Sequence, residues 1–425
     1  MYQYHEYYEQ PVDTFNANQP QLRTPVVSFS PGAALADPNP HGSYQYTDAH
    51  TTTDSLAAFG QLDWQFMETL KGTLGLRYTK DKKSGDEFIR RVYWDPTGLG
   101  PFAPSVDLTA STFGAPALQA RATNDGSGTW TRPYDNEWDA TTGTAGLQWT
   151  PMDGANTYLR YTRGYKDGGV NVGGLVALDT LYTDAEYVNA YEFGWKQEIG
   201  GQLTANLSVF YYDYIGAQYP LTLVNLPPAV GTRSEIFNID SISRGVELET
   251  VWRPTAELQL MLNYAFLATH IKDRSCYSKS TYTTGVDPKA CTAPSATGGS
   301  VYILGNQVPG SPENKVSFNA MYTFEFSAGK LALSGSYVWR DEQYSSILGG
   351  DEWLVPDYAK TDFRAIWSDT DNTYSVIAYL RNAGDTEGYD GVVAATGSSG
   401  ITQSYSLTPP RQFGLELQYR FGSAK

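Results

Sequence analysis

The sequence predicts an all-β protein that crosses a membrane as an antiparallel up-and-down barrel of about fourteen strands. Three observations predict it. Apolar side chains recur at every second position through most of the chain. Short turns alternate with long loops rich in Gly, Pro and Ser. No run of about 20 apolar residues offers a helical span.

The chain has 425 residues, a formal net charge of -16 and a mean hydropathy of -0.40. That polar average is compatible with a membrane, because a barrel strand needs only ~10 residues with alternate ones apolar. The acidic balance argues against nucleic acid, since no basic stripe exists to neutralise phosphates.

Strands are expected near 52–67, 71–94, 137–150, 156–166, 185–199, 203–222 and 234–253, then 257–273, 312–326, 331–346, 357–369, 373–386 and 409–421, with a partial strand before them. Successive side chains of a strand point to opposite faces. Leu203, Ala205, Leu207, Val209 and Tyr211 therefore share one face, and Thr204, Asn206 and Ser208 the other. Tyr187, Tyr191, Phe193 and Trp195 alternate with Glu192, Gly194 and Lys196. Leu258, Leu260, Leu262, Tyr264 and Phe266 repeat the pattern, as do Val316, Phe318, Ala320, Tyr322 and Phe324. At the C-terminus Phe413, Leu415, Leu417, Tyr419 and Phe421 alternate with Gln412, Gly414, Glu416, Gln418 and Arg420. Turns fall at 152–155, 200–202, 254–256 and 328–330, and long loops near 95–135, 166–184, 274–311 and 387–407. Such segregation of connection lengths is the pattern of outer-membrane barrels, turns periplasmic and loops outside.

Aromatics gather near strand ends: Tyr161, Tyr165, Tyr211, Tyr212, Tyr214, Trp252, Tyr337, Trp339, Tyr379 and Tyr419. Their amphipathic rings suit the headgroup level. The opposite face carries Arg77, Arg160, Glu192, Lys196, Glu247, Glu249 and Arg420. Buried in a soluble sandwich these charges would be costly unless paired. In a wide barrel they face a wet interior.

Cys276 and Cys291 are the only cysteines and fall in one loop. They suit a loop-stapling disulfide in an oxidising compartment, the alternative being two free thiols. A metal site is not expected, because only His270 stands near them. The four histidines, His5, His41, His50 and His270, form no catalytic pattern, and no nucleophile elbow or phosphate loop appears. Neither an enzyme nor a cofactor is expected. The first residues have no basic region followed by an apolar one, so no signal peptide is read there.

Tyr161-Thr162-Arg163-Gly164-Tyr165-Lys166-Asp167-Gly168-Gly169-Val170-Asn171 resembles a recurrent segment of TonB-dependent outer-membrane receptors, with Val170 where Phe is usual. Glu186 to Lys196 resembles the next strand of that family, and Leu207 to Tyr214 followed by Gln218 the one after. Asn238 with Gly245-Val246-Glu247-Leu248-Glu249 continues the order, and Pro409 to Phe421 looks like the closing strand. The resemblance covers most of residues 52–421. It implies a monomer in the outer membrane of a Gram-negative bacterium, in contact with lipid and lipopolysaccharide. A family barrel has twenty-two strands, a plug domain and a segment contacting the TonB-ExbB-ExbD complex. Residues 1–50 resemble neither plug nor TonB segment and are expected to be a loop and partial strand. Residues 51–425 would then be the C-terminal part of the barrel, and the sequence is read as a fragment.

The function so implied is energy-coupled uptake of a scarce ligand, such as a ferric siderophore, a cobalamin-like compound or an oligosaccharide. A passive porin-like channel of about fourteen strands is the alternative. A soluble carbohydrate-binding sandwich is a further rival. Trp94, Trp130, Tyr134, Trp138, Tyr302 and Trp353 lie in or beside the long loops. Their flat faces can stack on sugar rings or catechols, against the plainer reading that they pack the loops. Asp167, Asp179, Asp184, Glu342, Asp351 and Glu352 are expected to be solvated surface.

Overall fold

A computed structural model describes residues 2–14, 45–93, 106–107, 122–124, 130–172, 181–224, 232–273, 276–278, 300–397 and 400–421. Its main sheet has sixteen strands, two of them two-residue additions off the principal path, which leaves fourteen in line. These are β1 (Tyr2–Thr14), β2 (Gln45–Met67), β3 (Leu70–Tyr93), β4 (Trp130–Trp149) and β5 (Ala155–Lys166). Then follow β6 (Glu186–Ile199), β7 (Leu203–Val224), β8 (Thr232–Trp252), β9 (Leu258–Ile271) and β10 (Asn314–Phe326). The last four are β11 (Gly329–Arg340), β12 (Tyr358–Ser368), β13 (Tyr374–Arg381) and β14 (Gln412–Tyr419). Each pairs antiparallel with the next, giving an up-and-down meander.

Connections segregate by length. One end of the sheet carries the short turns 68–69, 150–154, 200–202, 253–257, 327–328 and 369–373. The other end carries all the longer connections. β4 begins seven residues earlier than the sequence pattern indicated, at Trp130, and β7 and β8 run to 22 and 21 residues. These extensions project on the loop side. The 387–407 loop holds a hairpin of its own, Tyr389–Gly397 with Gly400–Leu407.

Register turns the period-two pattern into one continuous apolar surface. Leu207 stands beside Leu248 and Trp195, Val209 beside Val246 and Phe193, and Tyr211 beside Tyr191. Further along, Phe318 faces Tyr337 and Leu262, Tyr322 faces Leu333, and Trp367 faces Val376. The belt ends on Leu380 beside Phe413 and Tyr374 beside Tyr419. These side chains are exposed: Phe193 is 39%, Leu159 59%, Trp64 60% and Leu415 68% accessible. A belt this long and apolar is rare on soluble proteins. It is the face a bilayer covers.

The other face is polar and paired. Arg160 Nη2 donates to Glu192 Oε2 at 2.8 Å, and Tyr158 Oη donates to Glu192 Oε1 at 2.5 Å. Tyr212, Tyr214 and Tyr379 belong to this inner face and not to a lipid girdle. Strand parity places Tyr212 and Tyr214 opposite to Tyr211, and Tyr379 opposite to Tyr374. Inner rings lie flat over cross-strand glycines. A Cβ on Gly194 would stand 2.2 Å from the Tyr158 ring, and one on Gly414 2.4 Å from Tyr379 Oη. Glycine here is the space an aromatic ring fills, a device that pins register.

Two substitutions on adjacent residues separate the faces. Val209→Arg is expected to destabilise the folded chain in lipid by about 2–4 kcal/mol, the range for a cation at the bilayer midplane. Ser208→Arg, pointing inward, is expected to cost under about 1 kcal/mol. Denaturant midpoints in lipid vesicles read both.

Candidate functional site

Above the belt on the loop side, the inner faces of β3 and β4 stop looking into an open interior. There they pack against the strap formed by residues 167–172 and 181–185. Lys83 Nζ donates to the Gly168 carbonyl at 2.8 Å and pairs with Asp167 Oδ2 at 2.7 Å. Asp167 is thus held in an ion pair, not solvated as expected. Trp138 Nε1 donates to the Thr183 carbonyl at 3.1 Å. A Cβ on Gly168 would stand 2.1 Å from Trp138 Nε1 and 2.2 Å from Thr183 O, so only glycine fits there. Within the strap, Asn171 N donates to Leu181 O at 2.7 Å and Thr183 N to Gly169 O at 3.0 Å.

The strap is tied to β7 and β8 as well. Gln218 Nε2 donates to Asp167 O at 2.8 Å, and Ile236 N donates to Asn171 Oδ1 at 2.8 Å. Asp184 N donates to Asn238 Oδ1 at 2.8 Å, while Asn238 Nδ2 donates to the carbonyls of Asp184 and Gly216. Gly216 has φ +64° at the bulge where the register of β7 and β8 shifts, a conformation that favours glycine. Its N–H is satisfied by Asp240 Oδ1 at 2.7 Å. Asp167, Gly168, Asn171, Gln218 and Asn238 are therefore one hydrogen-bonded unit, although they span 72 residues of sequence.

Under the strap lies a polar recess of about 570 Å³, lined by Thr53, Arg77, Asp81, Lys83, Tyr165 and Asp167 among others. Tyr165 Oη donates to Asp81 Oδ2 at 2.9 Å. Burial and the Asp81 carboxylate both push the Tyr165 phenol above its usual range, keeping it a neutral donor. A second packed layer caps β7 to β9: Ile239, Ile271, Ile303 and Ile347 form a buried cluster with Tyr219, Leu221 and Phe237 against it. Asn306 Nδ2 donates to Ile347 O at 2.8 Å and joins two of the loops.

The aromatics singled out from sequence divide. Tyr134, 2% exposed, hydrogen-bonds Thr51 Oγ1 at 2.6 Å and donates to His50 O at 3.0 Å. Burial raises its phenol pKa, with the Thr51 bond working against the shift. Trp138 is 9% exposed beneath the strap, with Lys83 Nζ 5.8 Å from its ring centroid. Both rings brace the wall from inside. Trp130, at the loop-side tip of β4, and Trp353, in the 3-10 turn Asp351–Trp353, are half-buried. Trp94 and the side chain of Tyr302 lie outside the described residues, as does Cys291, and with it the expected disulfide. The backbone of Cys276 pairs with Tyr302 in a short ribbon. Sequence reasoning missed Glu87 and Arg132, a fully buried ion pair at 2.8 Å beside Tyr134. Their parity on neighbouring strands, read with β4 extended to Trp130, was the signal available.

Comparison with known proteins follows the same lines. Residues 2–383 match the family model described as TonB dependent receptor-like, β-barrel. The ferric yersiniabactin uptake receptor of Yersinia pestis superposes with a TM-score of 0.65 at 18% identity, over 90% of this chain and 48% of that one. A copper transporter gives 0.56 at 11% identity, over 88% and 53%. The ferric-catecholate import receptor of E. coli K12 gives 0.54 at 14%, over 87% and 45%. The chain thus spans about half the length of these structures.

The strap makes a direct prediction. Asn238→Ala removes three hydrogen bonds worth about 1–3 kcal/mol together. Hydrogen exchange at the Asp184 amide is expected to speed up at least about tenfold, while amides in β10 and β11 keep their rates.

Proposed function

The chain belongs to the TonB-dependent receptor β-barrel family, and from that membership we propose that it forms the ligand-capturing barrel wall of an outer-membrane uptake receptor. The observation that carries this reading is the family match over residues 2–383 on a sheet whose long connections all lie at one end. In this reading the turns face the periplasm and the loops face the exterior of a Gram-negative cell.

The ligand class is a scarce, large compound, a ferric siderophore first among them. Two of the similar structures carry names of ferric-siderophore-type uptake, and another is a copper transporter. Capture falls to the loop layer. The packed strap and isoleucine cluster hold that layer in shape, and Trp130 and Trp353, half-buried in it, are the rings proposed to stack on the ligand. Trp94 and Tyr302 belong to the same proposed set. The polar recess beneath offers Arg77, Lys83, Asp81 and Tyr165 as hydrogen-bonding groups along the path inward. Coupling to TonB-ExbB-ExbD supplies the energy in the whole receptor.

Uptake of 55Fe by the source bacterium tests this, with ferric yersiniabactin and a ferric catecholate as probes. Deleting the gene is expected to abolish saturable uptake of at least one ferric siderophore, and disrupting TonB to do the same. Uptake that persists without TonB and rises linearly with concentration would contradict the proposal. Trp130→Ala and Trp353→Ala are each expected to raise the Kd of that ligand about tenfold, or about 1.4 kcal/mol.

A further inference from the structure

The inner wall of β10 to β14 concentrates positive charge in a chain whose net charge is -16. By strand parity Lys315, Arg340, Lys360, Arg364 and Arg381 point to the interior, with Asp362 and Glu416 among them. Register orders four of the cations along β12. Arg340 stands opposite Tyr358, and Lys360 follows two residues on. The pairing of Phe363 with Leu380 sets Arg381 beside Asp362, and Arg364 comes next. One cation therefore meets each inward step of the strand, and a step is about 6.6–6.8 Å. Lys315, opposite Arg340, adds a second charge at the loop-side end.

These charges are unspent. On the inner face of β3 to β5, Lys83, Arg132 and Arg160 each hold a carboxylate at 2.7 or 2.8 Å. Among the described residues no carboxylate oxygen lies within 4.0 Å of the charged nitrogens of the five. The nearby carboxylates serve other donors. Asp362 Oδ1 accepts from Asn382 N at 2.7 Å, and Glu416 Oε1 from Gln418 Nε2 at 2.6 Å. Two of the arginines are held by tyrosine rings instead. Arg381 Cζ stands 5.0 Å from the centroid of Tyr379, the ring that covers Gly414. Arg340 Cζ stands 4.7 Å from the centroid of Tyr358, Nη2 donates to Tyr389 O at 2.5 Å, and Nη1 has no acceptor. Stacking on a ring orients a guanidinium without consuming its N–H donors.

Arg364 and Arg381 line a recess of about 230 Å³ together with Ser334, Ser336 and Tyr379. A site that encloses a small ligand whole needs ~300 Å³ or more, so this one takes a charged edge of something larger. Cations lining a passage select anions, and several weak sites in series let the ion leave as readily as it enters. We propose that the row is an anion track: the ligand crosses the barrel as a net-negative chelate whose charged edge passes from Arg340 to Lys360, Arg381 and Arg364. The track rests on the uptake reading above and narrows its ligand to anionic ferric chelates, such as a tris-catecholate, against neutral ones, such as a tris-hydroxamate.

Isothermal titration calorimetry of the full chain in neutral detergent tests it, with inositol hexakisphosphate as the polyanion and inositol as its neutral parent. Saturable binding of the polyanion is expected at low salt, weakening as salt rises, and none of inositol. Replacing Arg364 and Arg381 together by Gln is expected to raise the Kd at least about tenfold, and replacing both by Lys to restore most of the affinity. Asp362→Asn removes a negative charge but keeps the Oδ1 acceptor, and is expected to tighten binding about twofold or more. Lys330→Gln, at a turn and already paired with Glu325 at 2.8 Å, is expected to leave the Kd unchanged. An unaltered Kd in the double Gln variant overturns the track, as does weaker binding by Asp362→Asn or equal binding of inositol. If the double Gln variant loses its strand content, Asp362→Asn decides alone. A chain that binds the polyanion through these arginines, in a bacterium whose siderophore uptake survives deletion of the gene, overturns the uptake reading and leaves the anion site standing.

Discussion

Hydrocarbon contains no water to satisfy a peptide group, and every other feature of this protein follows from that constraint. A sheet answers it by giving each strand's N–H and C=O groups to its neighbours. Fourteen strands do so here in unbroken sequence order. The outer edges of β1 and β14 have no partner among the described residues. In a bilayer those edges also need strands against them, so the sheet is viable there only when closed. Once the backbone is satisfied, the pleat leaves side chains free to choose their solvent by parity. Val209 meets lipid while Ser208 and Glu192, on the other face, meet water and ionic partners.

Where the belt ends, the governing interaction changes. Above it the same alternation turns inner-face residues toward folded loops instead of an open interior. Arg132, Tyr134 and Trp138 accordingly become buried. The Arg132–Glu87 pair is expensive to desolvate, and removing one partner alone would cost about 3–5 kcal/mol. Each buried isoleucine of the upper cluster contributes about 1.5–3 kcal/mol relative to exposure. The loop layer over β7 to β9 is therefore a docked layer with its own core. A receptor gains from this, because a preformed wall loses less ordering entropy when ligand binds.

The belt was legible in the sequence because lipid enforces strict period two, and Phe413 to Phe421 shows it without interruption. Strand order and turn positions were legible for the same reason. The tip of β4 was not, since Arg132 and Tyr134 alternate with Thr131, Pro133 and Asp135 and give no apolar face. The 389–407 hairpin was not legible either, being built of Gly, Ala, Thr and Ser that lack an apolar stripe. In the site, the matched motif residues pointed to the right segment but not to its physics. Asn171, Gln218 and Asn238 serve backbone groups far away in sequence, and only the fold brings those groups to them. Burial of Tyr134 and Trp138 was hidden because it depends on a strap whose path no local pattern encodes.

Nitroxide side chains placed one at a time from Leu203 to Tyr214, with relaxation by oxygen and by a water-soluble nickel chelate in lipid vesicles, probe the central claim most directly. Oxygen accessibility should peak at 205, 207, 209 and 211 and chelate accessibility at 204, 206, 208 and 210, the two curves out of phase. A profile without period two, or chelate maxima at the odd positions, would contradict the assignment of that face to hydrocarbon.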